Sequence, residues 1–280
     1  MARKPRSSRP RRGQEKKKQT IIGLSMLGVV ILVFAWGGYT FISSSSNNVE
    51  RDEETMCPVE GPNSVTVVLI DFSSSFNNVQ KEAIKREIRA VKEGIPQNGL
   101  LEIYTTVDKR DSILVPSFVG CSPGNIGEVE SGIATNKKLV KIRWEETFGN
   151  KIDSITERML TVPESEKSPV MESIQSISIT ALNTREREYL PRRLVVVSDM
   201  LQNTSVLNMY TEGIPRNFET FAARPTTQQA LTDLKETEVE VLYIRRIKAS
   251  TIQGPTHIEF WDKLITLERG TLTRVKSIEG

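Results

Sequence analysis

Val65-Thr66-Val67-Val68-Leu69-Ile70-Asp71-Phe72-Ser73-Ser74-Ser75 is the stretch that decides the fold. Five of the first six positions are apolar, Thr66 is the sixth, and five of the six are β-branched. That is the composition of a strand buried on both faces, as in a parallel sheet covered by helices. The run stops at a carboxylate, and hydroxyls follow at every second position, Ser73 and Ser75. A carboxylate at the mouth of a buried strand is costly to desolvate unless it finds a partner.

Reading outward, Asn77–Ile95 sets Val79, Ile84, Ile88, Val91 and Ile95 at helical spacing among Lys, Arg and Glu. Gly94 and Pro96 close it. Strand, polar loop and amphipathic helix therefore follow in that order. Leu100–Val107 and Ser112–Val119 read as two strands of a hairpin turning at Asp108–Asp111. Lys137–Leu160 reads as one or two helices, with Phe148-Gly149-Asn150 as a break or C-cap. Ser168-Pro169 opens a helix running to about Asn183, with Ser168 as N-cap and Pro169 at the first helical position. Arg193–Ser198 is a second buried strand, ending at Asp199. Met200–Pro225 is long and poorly periodic, and could be a partner-binding rim or a loop packed by its own aromatics. Beyond it come a helix over Thr226–Thr237, a strand over Val239–Ile244, a helix over Thr256–Glu268 and a strand over Thr271–Ile278. Strands alternating with helices predict an α/β fold with a doubly wound, mostly parallel, Rossmann-like sheet.

The N-terminal part obeys different physics. Residues 1–20 carry nine of the 38 basic residues and one of the 35 acidic ones, so the remainder holds 29 and 34, a net of −5. A mildly acidic folded part argues against nucleic-acid binding there. No charge occurs from Thr20 to Ile42. As a helix this segment would reach about 34 Å, enough for a ~30 Å hydrocarbon core. Trp36 and Tyr39 suit the far interface, and the preceding cations orient the N-terminus to the cytoplasm. The expected organisation is a basic tail (1–19), one transmembrane helix (20–42), a Ser/Asn/Glu/Pro-rich linker (43–64) and a domain over 65–280. The competing reading, a cleaved signal peptide, lacks a clean small-residue cleavage site. The expected location is a bacterial inner membrane, crossed once, with the C-terminal domain periplasmic. An oxidising compartment permits a disulfide between the two cysteines, Cys57 and Cys121.

Three polar clusters carry the chemistry: Asp71/Ser73/Ser75, Ser168, and Ser198-Asp199. In an open α/β sheet ligands bind beyond the carboxyl ends of the strands at a topological switch point. If the Val65 and Arg193 strands are neighbours there, all three clusters converge. This pattern resembles the metal-ion-dependent adhesion site of von Willebrand factor type A (VWA) domains. In that family the first loop is D-x-S-x-S, the second supplies a Thr and the third an Asp. Asp71, Ser73 and Ser75 match the first loop, Ser168 stands for the Thr, and Asp199 is the third-loop Asp. Met200 stands where that family commonly has Gly. The resemblance spans roughly 64–280 and extends to the hairpin, where the family has its one antiparallel strand.

The resemblance implies Mg²⁺ (or Mn²⁺ or Ca²⁺) bound by Asp71, Ser73, Ser75, Ser168 and Asp199, the serines directly and the carboxylates directly or through water. It implies an open coordination position for an acidic side chain of a protein partner. The expected function is a membrane-anchored, metal-dependent protein-binding or scaffold module, not an enzyme. The alternatives are a metal-dependent hydrolase using Asp71 and Asp199, and a metal-free structural component of an envelope assembly. No nucleophile elbow or phosphate-binding loop occurs. His257, the only histidine, reads as a surface or capping residue. Phe260-Trp261 reads as core.

Overall fold

The computed structural model describes residues 25–39, 50–73, 75–106, 114–124, 137–161, 165 and 167–280. Two compact units divide the chain, residues 1–50 and 51–280. In the first, residues 25–39 form a helix (α1). Among the described residues no helix is long and apolar enough to cross a membrane. The ends of the expected span, the basic tail and the start of the linker lie outside the described residues.

The second unit is built on six strands: β1 (Val65–Ile70), β2 (Leu100–Thr105), β3 (Phe118–Cys121), β4 (Arg192–Ser198), β5 (Glu238–Ile244) and β6 (Thr271–Ile278). They lie in the order β3-β2-β1-β4-β5-β6, all parallel except β3. This is the sheet expected from the sequence, and its antiparallel edge strand is where the VWA resemblance puts one. The direction of winding reverses between β1 and β4, which places the switch point at the ends of those two strands.

Helices cover both faces. Alternation along β1 sends Val65, Val67 and Leu69 to one core and Val68 and Ile70 to the other. The second core is closed by α2 (Asn78–Glu93) and by α3 (Lys137–Trp144) and α4 (Asn150–Met159). Between α3 and α4 the chain makes a π-helical turn, Glu145–Gly149, so the expected break at Phe148-Gly149-Asn150 is a bulge within one continuous helix. Gly149 is required there, because a Cβ would stand 2.6 Å from the Trp144 ring. The first core is closed by α5 (Val170–Ile177) and by the short helices α6 (Met209–Glu212) and α7 (Phe218–Ala222), which the short α8 (Pro225–Gln228) follows. The long helix α9 (Pro255–Leu267) completes it. Met200–Pro225 thus contributes Met209 and Phe221 to the core.

Two local expectations are corrected. The helix expected over Thr226–Thr237 stops at Gln228. Lys235 and Glu236 adopt positive φ, and Leu234 donates its N–H to Glu268, so a tertiary turn overrides helix propensity. The strand expected over Ser112–Val119 is displaced to Phe118–Cys121, and Leu114–Ser117 is not strand. Pro116 lacks the N–H that a ladder needs. The hairpin turn at Asp108–Asp111 lies outside the described residues. Cys121 is the last residue of β3. It is bonded to Cys57, with Cα atoms 4.7 Å apart. Beside that bond, Cys121 donates its N–H to the Thr55 carbonyl, which binds residues 51–58 to the outer edge of β3.

Candidate metal centre at the switch point

The site begins with register. β1 pairs with β2 and β4 so that Ile70 stands beside Thr105 and Val197. One residue further, Asp71 falls between Thr106 and Ser198. Both neighbours carry hydroxyls and both use them on Asp71: Thr106 Oγ1 donates to Oδ1 (3.1 Å) and Ser198 Oγ to Oδ2 (2.8 Å). The loop after β1 turns back on the same carboxylate, with Ser73 N–H on Oδ1 (3.1 Å) and Ser73 Oγ on Oδ2 (3.0 Å). Ser168 Oγ, from the loop before α5, completes the set at 2.9 Å. Asp71 thus accepts five hydrogen bonds, one from the Ser73 amide and four from the hydroxyls of Ser73, Thr106, Ser168 and Ser198, which lie on four separate loops or strand ends. Neutral donors of this kind satisfy a buried carboxylate without a counter-charge.

Ser168 is therefore not an N-cap. Pro169 occupies that place without a side-chain cap. The first-turn N–H of Met171 is taken instead by Gln202 Oε1 (3.0 Å), from the loop after β4. Backbone bonds between Ser168 and Asn203 in both directions tie the second loop to the third. The hydroxyl is free to turn to Asp71, and its departure from the family's Thr costs no hydrogen bond there.

The third loop is held more rigidly than the sequence suggested. Met200 sits at φ +60°, a left-handed conformation that glycine adopts freely and that costs other residues about 1–3 kcal/mol. Four contacts enforce it. Met200 N–H donates to Ser198 Oγ (2.7 Å), and its carbonyl accepts from Gln202 N–H (3.1 Å), His257 Nε2 (3.0 Å) and Trp261 Nε1 (2.9 Å). His257 is thus neither a surface nor a capping residue. It is fully buried, and the carbonyl contact assigns the proton to Nε2, leaving Nδ1 to accept from the Tyr243 hydroxyl (2.6 Å). Burial holds its pKa down, to about 4. Trp261 is core, as expected, with its N–H spent on this loop. His257 and Trp261 stand one helical turn apart on α9, a spacing visible in the sequence but not its target.

Asp199 has a different partner. Its Oδ1 accepts Leu201 N–H (3.0 Å), and its Oδ2 forms an ion pair with Arg246 Nε at 2.9 Å. The carboxylate is fully buried and the Arg246 side chain is 15% exposed. Burial and the neighbouring Asp71 raise the Asp199 pKa to about 6, against the opposing pull of Arg246. Arg246 lies two residues beyond β5. Gln253 accepts its N–H (2.7 Å) and donates to the carbonyls of Asp199 (3.0 Å) and Ile244 (2.8 Å). Arg246 Nη1 donates to the Ser75 carbonyl, and its guanidinium lies 5.5 Å from the Phe76 ring centre. Ser75 is exposed at the mouth.

The structure therefore gathers Asp71, Ser73 and Ser168 directly, adds Ser198 and Thr106, and sets Asp199 and Ser75 beside them through Arg246. Sequence reasoning left out Thr106, Arg246 and Gln253. Thr106 was recoverable from register, since it ends the strand adjacent to β1. Nothing local marked Arg246, whose partner is 47 residues away. The donor set suits a hard cation. Ser73 and Ser168 spend their protons on Asp71, which leaves oxygen lone pairs for a metal, and hydroxyls with two carboxylates are oxygen ligands of the kind Mg²⁺ takes. Among the described residues no cluster of three or more His, Cys, Asp or Glu side chains could hold a metal. Any ion here would depend on the serines.

No protein-family model matches the chain, and no curated protein does. It is similar to a number of solved structures, three of them at 10% identity each. One is the ArnB paralog VWA2 from Sulfolobus acidocaldarius (TM-score 0.35), over 65% of this chain and 35% of that one. Another is an aerotolerance-related membrane protein from Bacteroides fragilis NCTC 9343 carrying multiple mutations to serines (TM-score 0.36), over 76% and 90%. The third is the pilus adhesin SpaC from Lactobacillus rhamnosus GG in an open conformation (TM-score 0.45), over 77% and 28%. This chain spans about a third of the Sulfolobus chain and less than a third of the adhesin. Likeness at this level leaves the functional argument to the residues themselves.

Proposed function

We propose that this protein is a membrane-anchored module that binds another protein through a divalent cation, with its C-terminal domain in the exported compartment of a bacterium. One observation carries the reading. Hydroxyls from three separate chain segments (Ser73, Ser168 and Ser198) converge on one buried carboxylate at the switch point of a parallel sheet. A fold gains nothing in packing from such a cluster, and ligand sites of open α/β sheets occupy this position. Ser73, Ser75 and Ser168 would hold the ion through hydroxyl oxygens, with Asp71 and Asp199 acting directly or through water. When bound, Mg²⁺ would supply an electrophilic coordination position for a partner's carboxylate. Asp71 orients the serine hydroxyls. The left-handed turn at Met200, fixed by His257 and Trp261, sets the direction of Asp199.

The anchor is the charge-free run 20–42, preceded by nine cations. The disulfide Cys57–Cys121 supports export, since such bonds persist in oxidising compartments. A reporter that is active only outside the cytoplasm, fused after Gly280, should be active, and activity confined to a cytoplasmic reporter overturns the orientation. Mg²⁺ should raise the unfolding temperature of the wild-type chain and leave that of Asp71→Ala unmoved, because a ligand binding only the folded state stabilises it. Equal shifts in both proteins contradict the metal reading.

A further inference from the structure

Asp199, the third-loop member of the oxygen set, is already engaged by a positive charge. The Arg246 guanidinium is 2.9 Å from its Oδ2. An ion coordinated by that carboxylate would lie within about 5 Å of the same guanidinium, given metal–oxygen distances near 2.1 Å. A histidine in this place could relieve the conflict by losing its proton near neutral pH. An arginine cannot, since its delocalised guanidinium keeps its proton in proteins. The only relief is movement. Nor is Arg246 a stray surface cation. Its backbone is fixed by Gln253, its Nη1 holds the Ser75 carbonyl of the first loop, and its plane lies against Phe76. Formal charge at the site is −2 from Asp71 and Asp199, of which Arg246 cancels one.

We propose that Arg246 is the resident cation of this site and the residue that determines which ligand it takes: a divalent ion binds only as the guanidinium leaves Asp199, and that departure releases the Ser75 carbonyl. The inference rests on the metal reading above and sharpens it. The site is then weak for metal in the wild type. Metal uptake is coupled to rearrangement of the loop that carries Ser73 and Ser75, because one side chain spans the first and third loops.

The test is calorimetric titration of Mn²⁺ into the full chain as wild type, Arg246→Gln and Arg246→Lys. Arg246→Gln should bind about tenfold more tightly than wild type, since it removes a full charge beside the site while keeping a hydrogen-bonding side chain. Arg246→Lys should stay within about threefold of wild type. Equal Mn²⁺ affinity in wild type and Arg246→Gln overturns the role of Arg246 and leaves the metal reading standing. No uptake by any of the three overturns both. Should Arg246→Gln fail to fold, the Arg246 resonance of the wild type decides. With Mg²⁺ bound, the Arg246 Nε–H resonance in ¹⁵N NMR must move to a solvent-exchanging position, and an unmoved resonance in the metal-loaded protein contradicts the proposal.

Discussion

At the carboxyl ends of β1 and β4, two buried aspartates are surrounded by partners. Asp71 has five hydrogen bonds from neutral donors, and Asp199 has a guanidinium and a backbone amide. At the opposite end of the sheet, just before β6, Glu268 is almost as buried. Its side chain accepts one bond, from Thr232 N–H (3.1 Å). Burial there pushes its pKa up to about 8, so near neutral pH the group is held as the acid. The same end carries the disulfide that joins Cys57 to the start of the β2–β3 pairing. One pole is thus stapled and keeps a carboxyl uncharged. The other assembles carboxylates with oxygen and cationic partners from distant segments. The lesson is physical: a fold tolerates one poorly partnered carboxyl by keeping it protonated, whereas a group meant to carry charge must be given donors.

Breaking the staple should have the largest effect. Cys57→Ser with Cys121→Ser should lower unfolding free energy by about 4 kcal/mol in chemical denaturation, because the bond closes a loop of 64 residues. Metal affinity should be unchanged, since the bond lies at the far pole, and a parallel loss of affinity would erase the contrast between the two ends. Asp71→Ala should cost about 3 kcal/mol, as the buried hydroxyls of Ser168 and Ser198 and the half-buried ones of Ser73 and Thr106 lose their common acceptor.

Glu268→Gln tests the other pole through pH. With a folded pKa near 8 and an ordinary value of 4.5 unfolded, the folded state holds the extra proton between those limits. Wild-type stability should therefore be fully present below about pH 4.5 and decline as pH rises toward 8. Glu268→Gln should lack that decline and exceed wild type at pH 8 by on the order of 4 kcal/mol, while matching it near pH 4.5. Parallel stability curves from pH 4 to 8 would show that Glu268 is better partnered than its surroundings imply. The smallest effect is expected at the third loop. Met200→Gly relieves the left-handed turn but removes a buried side chain, for a net loss of about 1 kcal/mol. A net gain would mean that the strain outweighs the packing.

The contrast also separates what the sequence displayed from what it concealed. β1 and β6 were legible to the residue and α2 nearly so, because a dense β-branched run in β1, apolar and polar residues interspersed in β6, and helical periodicity in α2 are local signals. The convergence of Asp71 and Ser168 followed from topology alone once β1 and β4 were neighbours. Hidden features depended on distant partners. The Thr226–Thr237 segment has helical composition, yet its Leu234 amide is claimed by Glu268. Ser168-Pro169 has the look of a helix start, yet Gln202 supplies the bond that a cap would make. Arg246 follows an ordinary strand, and only the fold reveals that it faces Asp199. His257 looks like a helix-start histidine until Met200, 57 residues earlier, is seen to need its N–H.

The central claim is that oxygen atoms from separate loops meet at Asp71 to hold a divalent ion. Calorimetric titration of Mg²⁺ into the wild-type chain, Asp71→Ala and Asp199→Ala tests it most directly. Uptake by the wild type, with most of the heat lost in both variants while each still unfolds cooperatively, is the predicted result. Indistinguishable titrations for all three proteins would contradict it.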